Sequence, residues 1–102
     1  MKIVILVTVH IFLNKLDFPV RSEAYKLLEL LEQYGYSLSM PFAKPIGGGL
    51  WELRLTGRWQ IRMLYGYCEG VPVVVLALQK QRSALPQSAI ALARKRFREY
   101  CR

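Results

Sequence analysis

The sequence has 102 residues, which is enough for one domain and too few for two. Hydrophobic residues make up 53% of it, so an intrinsically disordered chain is excluded. Its 15 Lys and Arg residues against 7 Asp and Glu residues give a formal net charge of +8, and a small domain of this charge is expected to bind a polyanion. Most of the positive charge lies in residues 50–102, where we expect the polyanion to bind.

The first segment, Lys2–Val9, is rich in β-branched residues and favours a strand. A lysine followed by an apolar run is also typical of a signal peptide, but no small-residue cleavage site follows it. The run is too short to cross a membrane. The sequence therefore predicts a buried first strand and a cytoplasmic protein with no part in a membrane.

Two helices are expected after this strand. Apolar residues at helical spacing between Phe12 and Leu16 predict a short first helix. The second helix is predicted to begin after Asp17, as N-cap, and to end at Gly35. Its apolar residues recur at intervals of three and four and predict a face that packs on a sheet: Val20, Ala24, Leu27, Leu28, Leu31 and Tyr34. Residues 37–49, with two prolines and three consecutive glycines, are predicted to form a loop.

A hairpin is predicted next, because residues 50–55 and 58–63 alternate strictly between apolar and polar side chains. A slip of one residue would move every side chain to the other face, so the pattern selects a loop with an odd number of residues, and we predict a three-residue loop that ends at Gly57. This register pairs Arg58 with Arg54. It also pairs Gln60 with Glu52. One predicted face is apolar: Trp51, Leu53, Trp59, Ile61, Met63 and Tyr65. The opposite face is polar: Glu52, Arg54, Arg58, Gln60 and Arg62.

The last predicted elements are a strand over Val71–Leu78, apolar enough to be central in a sheet, and a helix that Pro86 opens. The apolar stripe of that helix consists of Ile90, Ala93, Phe97 and Tyr100. Basic residues cluster near its C-terminal end: Arg94, Lys95, Arg96 and Arg98. The fold class is therefore α+β: an N-terminal strand and two helices packed on an antiparallel sheet, with a C-terminal helix.

The polar face of the hairpin is suited to phosphate, because arginine carries a permanent charge on a planar fork of donors. The alternative is a solvated strand face with weak surface ion pairs. Cleavage of RNA by its ribose 2′-OH needs a base, an acid and cations that stabilise the phosphate. A ribonuclease with two histidines is excluded, since His10 is the single histidine. Other side chains remain candidates for proton transfer: Lys44, Lys80, Tyr65, Tyr67 and Tyr100. Of these, Tyr65 falls on the apolar face and is interpreted as structural.

Two cysteines, Cys68 and Cys101, do not form the dense pattern of a disulfide-stapled secreted domain. They are predicted to be reduced thiols. A zinc site is excluded because His10 lies far from both in the sequence, and no carboxylate cluster indicates a metal nuclease.

A set of motifs, taken in chain order, resembles a known family: Pro41–Lys44, Gly49–Arg54, Arg62–Tyr65, a valine-rich strand that ends at Lys80, Pro86, and Ala93–Arg96. The family is that of the HigB-like toxins, in the phage-derived branch of the RelE/ParE toxin superfamily. The resemblance extends over residues 12–100, so residues 1–102 are interpreted as one domain of this family.

This resemblance implies a RelE-like fold and a toxin that cleaves mRNA on the ribosome, using the ribose 2′-OH and neither a metal nor another cofactor. It also implies a helix-turn-helix antitoxin as partner. Arg54 and Arg62 would hold and stabilise the scissile phosphate, and Lys80 would act as a further cationic or proton-transferring group. Three more basic residues are assigned to nucleic-acid binding: Lys44, Arg58 and Arg82.

The sequence departs from the family at three places. The position near Leu76, often a histidine in the family, is apolar, and Lys80 is followed by Gln81 where a second lysine is common. The Gly/Pro turn expected before Phe12 is also missing. The first two departures favour an alternative function: a non-catalytic member, either a ParE-like gyrase inhibitor or a degenerate toxin that still binds its antitoxin.

Overall fold

The computed structural model describes residues 2–57, 59–81 and 84–102. In chain order the elements are β1 (Val4–Ile5), α1 (Val7–Asn14), α2 (Phe18–Tyr34), a 3₁₀ turn (Gly35–Ser37), β2 (Ala43–Gly47), β3 (Leu50–Leu55), β4 (Ile61–Cys68), β5 (Val71–Gln79) and α3 (Gln87–Tyr100). The described strands form one sheet in the order β1-β5-β4-β3-β2, with β1 parallel to β5 and the other pairs antiparallel. The predicted α+β architecture is confirmed.

The two faces of the sheet are covered by different helices. The first face packs against α1 and α2, and its buried residues include Leu53, Ile61 and Met63. The second face packs against α3, with Leu50 and Leu64 among its buried residues. One end of the second face bears polar side chains instead, and the candidate site lies there.

Contact between α3 and the second face depends on a glycine. A Cβ placed on Gly66 would lie 2.8 Å from the ring of Phe97, so glycine is needed for this close approach. Ala93 is buried at the same interface. The predicted stripe of α3 is confirmed at these positions, whereas Tyr100 is 48% exposed and lies outside the core.

The N-terminal segment differs from the prediction of a strand over Lys2–Val9. Only Val4–Ile5 pairs with β5, and helix α1 begins at Val7. Val9 and Leu13, four residues apart, are fully buried on one side of this helix. Burial of this pair overrides the β-propensity of the individual residues, which is a weak preference.

The second helix has the predicted ends, with Asp17 as N-cap and Gly35 as C-cap at a positive φ of 51°. Its predicted buried residues are confirmed except for Tyr34, which is 49% exposed.

The predicted loop over residues 37–49 contains a strand, β2, which pairs with β3. Because β2 is an edge strand, Pro45 can occupy it without removing a hydrogen bond from the middle of the sheet. Because prolines and glycines are typical of loops, the sequence pattern did not predict this edge strand.

The hairpin keeps the predicted faces but not the predicted register. Strand β3 ends at Leu55 and β4 begins at Ile61, so that Leu55 pairs with Ile61, and Glu52 pairs with Leu64 rather than with Gln60. Gln60 has a positive φ of 52°, which does not continue a strand. The register differs from the prediction by four residues, an even number, and for that reason the side chains of β3 and β4 stay on their predicted faces. Arg58, predicted to pair with Arg54, lies outside the described residues.

The two cysteines are joined, so the prediction of reduced thiols is wrong. Cys68 ends β4 and Cys101 follows α3, and their Cα atoms are 5.7 Å apart in a disulfide. The fold brings them together because α3 runs back along the second face toward the end of β4. Among the described residues, no helix is both long and apolar enough to cross a membrane.

Candidate functional site

The polar end of the second face is built by β3 and β4. Arg54 on β3 pairs directly with Arg62 on β4. Their neighbours Leu53 and Met63 are buried in the core of the first face. Because side chains alternate between faces along a strand, both arginines project from the second face. The prediction that Arg54 and Arg62 share one face is confirmed.

Glu52 lies at the centre of this region. Its carboxylate is 1% exposed, and Oε1 lies 3.5 Å from Nε of Arg54 and 3.9 Å from Nζ of Lys44. The other oxygen, Oε2, lies 3.5 Å from Nε of Arg62. Lys44 approaches from β2, where it pairs with Glu52 across the strands. We call Lys44, Glu52, Arg54 and Arg62 the Glu52 cluster.

Arg62 is buried, whereas the sequence predicted it on a solvent-exposed face. Its side chain is 2% exposed. The guanidinium donates hydrogen bonds to the backbone oxygens of Leu55 and Ile61, each at 3.0 Å, and to Oε1 of Gln60 at 2.9 Å. Leu55 ends β3, Ile61 begins β4 and Gln60 precedes it, so Arg62 ties the two strands together at this end of the hairpin. Burial lowers the pKa of Arg62; the charge of Glu52 opposes this effect and that of Arg54 adds to it.

Three of the predicted site residues present their side chains to solvent. The side chain of Lys44 is 45% exposed and that of Arg54 is 19% exposed. Lys80 is partly exposed. Its backbone N–H donates to the oxygen of Gln60 at 2.8 Å, which places it beside the start of β4. These residues are the ones in position to contact a ligand.

A cleft of about 380 Å³ lies beside the Glu52 cluster. Lys44, Lys80 and Glu52 line it, and the segment leading into α3 forms its other wall: Ala84, Leu85, Gln87 and Ile90. The N-cap residue of α3, Pro86, makes no side-chain capping hydrogen bond, so the positive end of the helix dipole adds to the two lysines. The cleft is therefore electropositive at its rim and suited to an anion.

Two basic residues of α3 that the sequence placed in a surface cluster hold the helix to the sheet instead. Arg94 donates to the backbone oxygens of Gly47 and Gly48, at 3.3 and 3.2 Å. Arg96 donates to the oxygen of Val75 at 3.0 Å. Val75 is the extra residue of a bulge in β5, so the arginine satisfies an oxygen of the irregular ladder.

The tyrosines considered for proton transfer lie away from the cleft. Tyr65 is fully buried in the core of the first face and Tyr67 packs against the same core, so the sheet separates both from the cleft. Burial is the main cause that raises the pKa of each. Tyr100 ends α3, about 20 Å along the helix from the cleft. The structural interpretation of Tyr65 is confirmed, and Lys44 and Lys80 remain as proton-transfer candidates at the cleft.

The structure thus brings together Lys44, Arg54 and Arg62 around Glu52, and places Lys80 on the same cleft as Lys44. Arg58 and Arg82, the other residues assigned to nucleic-acid binding, lie outside the described residues. The central place of Glu52 was missed, although its position two residues before Arg54 on an alternating strand was a signal for it. Within the described parts of the chain, no three His, Cys, Asp or Glu side chains come together as a metal ion would require.

Comparison with known proteins gives one family. The model of the phage-derived protein Gp49-like family (DUF891) matches residues 11–98. A search of curated proteins finds no match.

Proposed function

Because the chain belongs to the Gp49-like family of phage-derived proteins, which is of the RelE/HigB toxin type, we propose that it is the toxin of a type II toxin–antitoxin system and cleaves mRNA on the ribosome. The observation that carries this proposal is the cleft lined by Lys44 and Lys80, next to the Glu52 cluster, whose member Arg54 is partly exposed. Cations gathered in this way suit the backbone of a single RNA strand, which is recognised through its phosphates.

The proposed reaction is attack of a ribose 2′-OH on the adjacent phosphorus, with release of the 5′-oxygen of the next nucleotide. Arg54 and Lys44 hold the phosphate oxygens and stabilise the charge that develops on them. The proton of the attacking 2′-OH passes to solvent water, and Lys80, as an ammonium, supplies a proton to the leaving oxygen. Arg62 is buried and does not contact the phosphate. It donates hydrogen bonds to Leu55, Gln60 and Ile61 and adds positive charge to the Glu52 cluster. The reaction needs no metal ion and no other cofactor.

The partners in this proposal are mRNA on the ribosome and a helix-turn-helix antitoxin, and the place of action is the cytoplasm. Lys95 and Arg98 are exposed on α3 and offer a basic surface to an acidic segment of the antitoxin.

A second candidate function is supported by the burial of Arg62. A residue that is 2% exposed and bonded to three acceptors does not reach a phosphate in this conformation. With Leu76 where the family often has histidine, this observation favours a protein that binds without cleaving, as a ParE-like gyrase inhibitor or as a degenerate toxin that retains its antitoxin.

Induced expression in cells, followed by mapping of mRNA 5′ ends, separates the two functions. The endonuclease predicts new 5′ ends inside translated regions soon after induction, and fewer of them with Arg54→Lys at matched soluble levels. Growth arrest with intact mRNA and altered plasmid supercoiling would establish gyrase inhibition instead. The absence of both growth arrest and new 5′ ends would indicate a degenerate toxin.

A further inference from the structure

Glu52 carries a buried carboxylate to which the proposed reaction assigns no role. Burying a charge is costly unless opposite charges surround it. Three cations do so: Lys44, Arg54 and Arg62. The cluster therefore has a net charge of +2 once Glu52 is counted, and Glu52 is the one acidic member of it.

The contacts of Glu52 are those of charges rather than of hydrogen bonds. Among the described residues, Oε1 of Glu52 and the Nε atoms of Arg54 and Arg62 have no hydrogen-bond partner. Charge attraction over 3.5 to 3.9 Å fixes the direction of these side chains and leaves them able to move toward a nearby anion. Nη1 of Arg54 donates to Sδ of Met40 at 3.4 Å, and the side chain of Lys44 is 45% exposed.

An RNA phosphate bound at the Glu52 cluster would compete with Glu52 for the same two cations. Lys44 and Arg54 are the members of the cluster with exposed side chains, and both lie beside Oε1 of Glu52. The carboxylate therefore weakens the binding of an anion in the ground state. Only interactions that strengthen in the transition state increase the rate of a reaction.

We propose that Glu52 is a positioning residue, which holds Lys44 and Arg54 in place at the polar end of the second face and at the same time lowers their affinity for RNA. Its effect on the rate rests on the proposed endonuclease function. Its effect on affinity does not, because it concerns the binding of an anion to the cluster whether or not a bond is cleaved.

The test compares Glu52→Gln, which removes the charge at constant shape, with Glu52→Asp, which keeps the charge and withdraws it by one methylene. Glu29→Gln is the matched control, since it makes the same change of net charge at an exposed position of α2. Binding is titrated with a short single-stranded RNA of 2′-O-methyl nucleotides, which lack the attacking hydroxyl. Cleavage rates are measured at saturation on ribosome-bound mRNA.

For Glu52→Gln we expect RNA binding that is roughly fivefold tighter, the equivalent of about 1 kcal/mol between unit charges 4 Å apart in water. The logarithmic salt dependence of binding should steepen by about 0.7, as for one additional cation on a single strand. The cleavage rate should fall roughly 10- to 100-fold because the cations lose their placement. Glu52→Asp should bind as the wild type does and still cleave more slowly, and Glu29→Gln should match the wild type in both measurements.

A merely structural Glu52 would give weaker binding and slower cleavage together in both variants, which would overturn the proposal. Binding of Glu52→Gln no tighter than wild type, or cleavage at the wild-type rate, would also overturn it. If Glu52→Gln does not fold, Glu52→Asp decides: slower cleavage at wild-type affinity supports positioning, and an unchanged rate contradicts it. If the wild type cleaves no RNA, the endonuclease function and the positioning of its cations fall together, and the binding titration alone decides whether Glu52 lowers affinity.

Discussion

Arg54 and Arg62 lie directly opposite each other on neighbouring antiparallel strands, and each places its Nε 3.5 Å from a different oxygen of the Glu52 carboxylate. Like charges that face each other across a ladder destabilise a sheet. The carboxylate between them offsets this repulsion and allows one arginine to be buried and the other to remain partly exposed. The two arginines therefore differ: Arg62 donates to Leu55, Gln60 and Ile61, and Arg54 keeps a side chain that is 19% exposed.

Replacement of Arg62 by alanine is expected to destabilise the protein. It removes three hydrogen bonds and leaves Glu52 with one fewer cation, so we predict a loss of about 3–5 kcal/mol in the free energy of unfolding. Denaturant unfolding measures this. The control Arg98→Ala, at an exposed position of α3, should change stability by about 0.5 kcal/mol or less. Equal stability of the two variants would contradict the burial of Arg62.

Replacement of Lys80 by methionine should affect chemistry and not stability. The side chain lines the cleft and, in the proposed reaction, protonates the leaving oxygen, so the cleavage rate should fall roughly 100-fold or more. Melting temperature should stay at the wild-type value. Lys95→Met, which removes the same charge from the outer surface of α3, is the control, and a similar loss of rate in both variants would rule out a special role for Lys80.

The disulfide should make stability depend on redox conditions. Cys68 and Cys101 are 33 residues apart, and closing a loop of this length is expected to stabilise a domain by about 3–4 kcal/mol. A reducing agent should therefore lower the melting temperature of the wild type. The double variant Cys68→Ser with Cys101→Ser should melt at the lower temperature with or without it. If the reducing agent left the melting temperature of the wild type unchanged, this would show that the disulfide does not form.

Stability should fall at alkaline pH because of a buried tyrosine. Burial, and to a lesser extent the neighbouring Tyr67, raises the pKa of Tyr65 above the ordinary value of about 10. Above that pH the unfolded chain loses the proton of Tyr65 while the folded chain keeps it, so the folded state binds more protons and stability decreases as pH rises.

The variant Tyr65→Phe should therefore lose less stability than the wild type between about pH 8 and about pH 10.5, a range that spans the ordinary tyrosine pKa. Denaturant unfolding at the two pH values measures the difference. Tyr100→Phe, at an exposed position, is the control and should follow the wild type. Identical pH dependence of Tyr65→Phe and the wild type would show that the Tyr65 hydroxyl is not held in the protonated form.

Elements defined by local patterns could be predicted from the sequence. The bounds of α2 follow from Asp17 and Gly35, and the faces of the hairpin follow from strict alternation. The N-terminal segment could not be predicted, since burial of Val9 and Leu13 against the sheet outweighs local propensity. The disulfide depends on the direction of α3 relative to β4, which no local pattern encodes.

For the candidate site, the sequence predicted which strand residues share a face and not how deeply they are buried. Alternation placed Arg54 and Arg62 on one face, but it carries no information on what covers that face. The backbone oxygens of Leu55 and Ile61 and Oε1 of Gln60 provide acceptors for Arg62, and Glu52 is the buried counter-charge beside it. The segment before α3 then closes the cleft on the side of Lys44 and Lys80.

The endonuclease account is tested most directly by the rate at which purified protein cleaves ribosome-bound mRNA, with Arg54→Lys compared with the wild type. This variant keeps the positive charge beside Glu52, and hence the fold, but loses the fork of donors that faces the phosphate. For Arg54→Lys we predict a melting temperature close to that of the wild type and a cleavage rate lower by roughly tenfold or more. The control Arg98→Lys should cleave at the wild-type rate. Cleavage by Arg54→Lys at the wild-type rate, or no cleavage by the wild type, would contradict the endonuclease account.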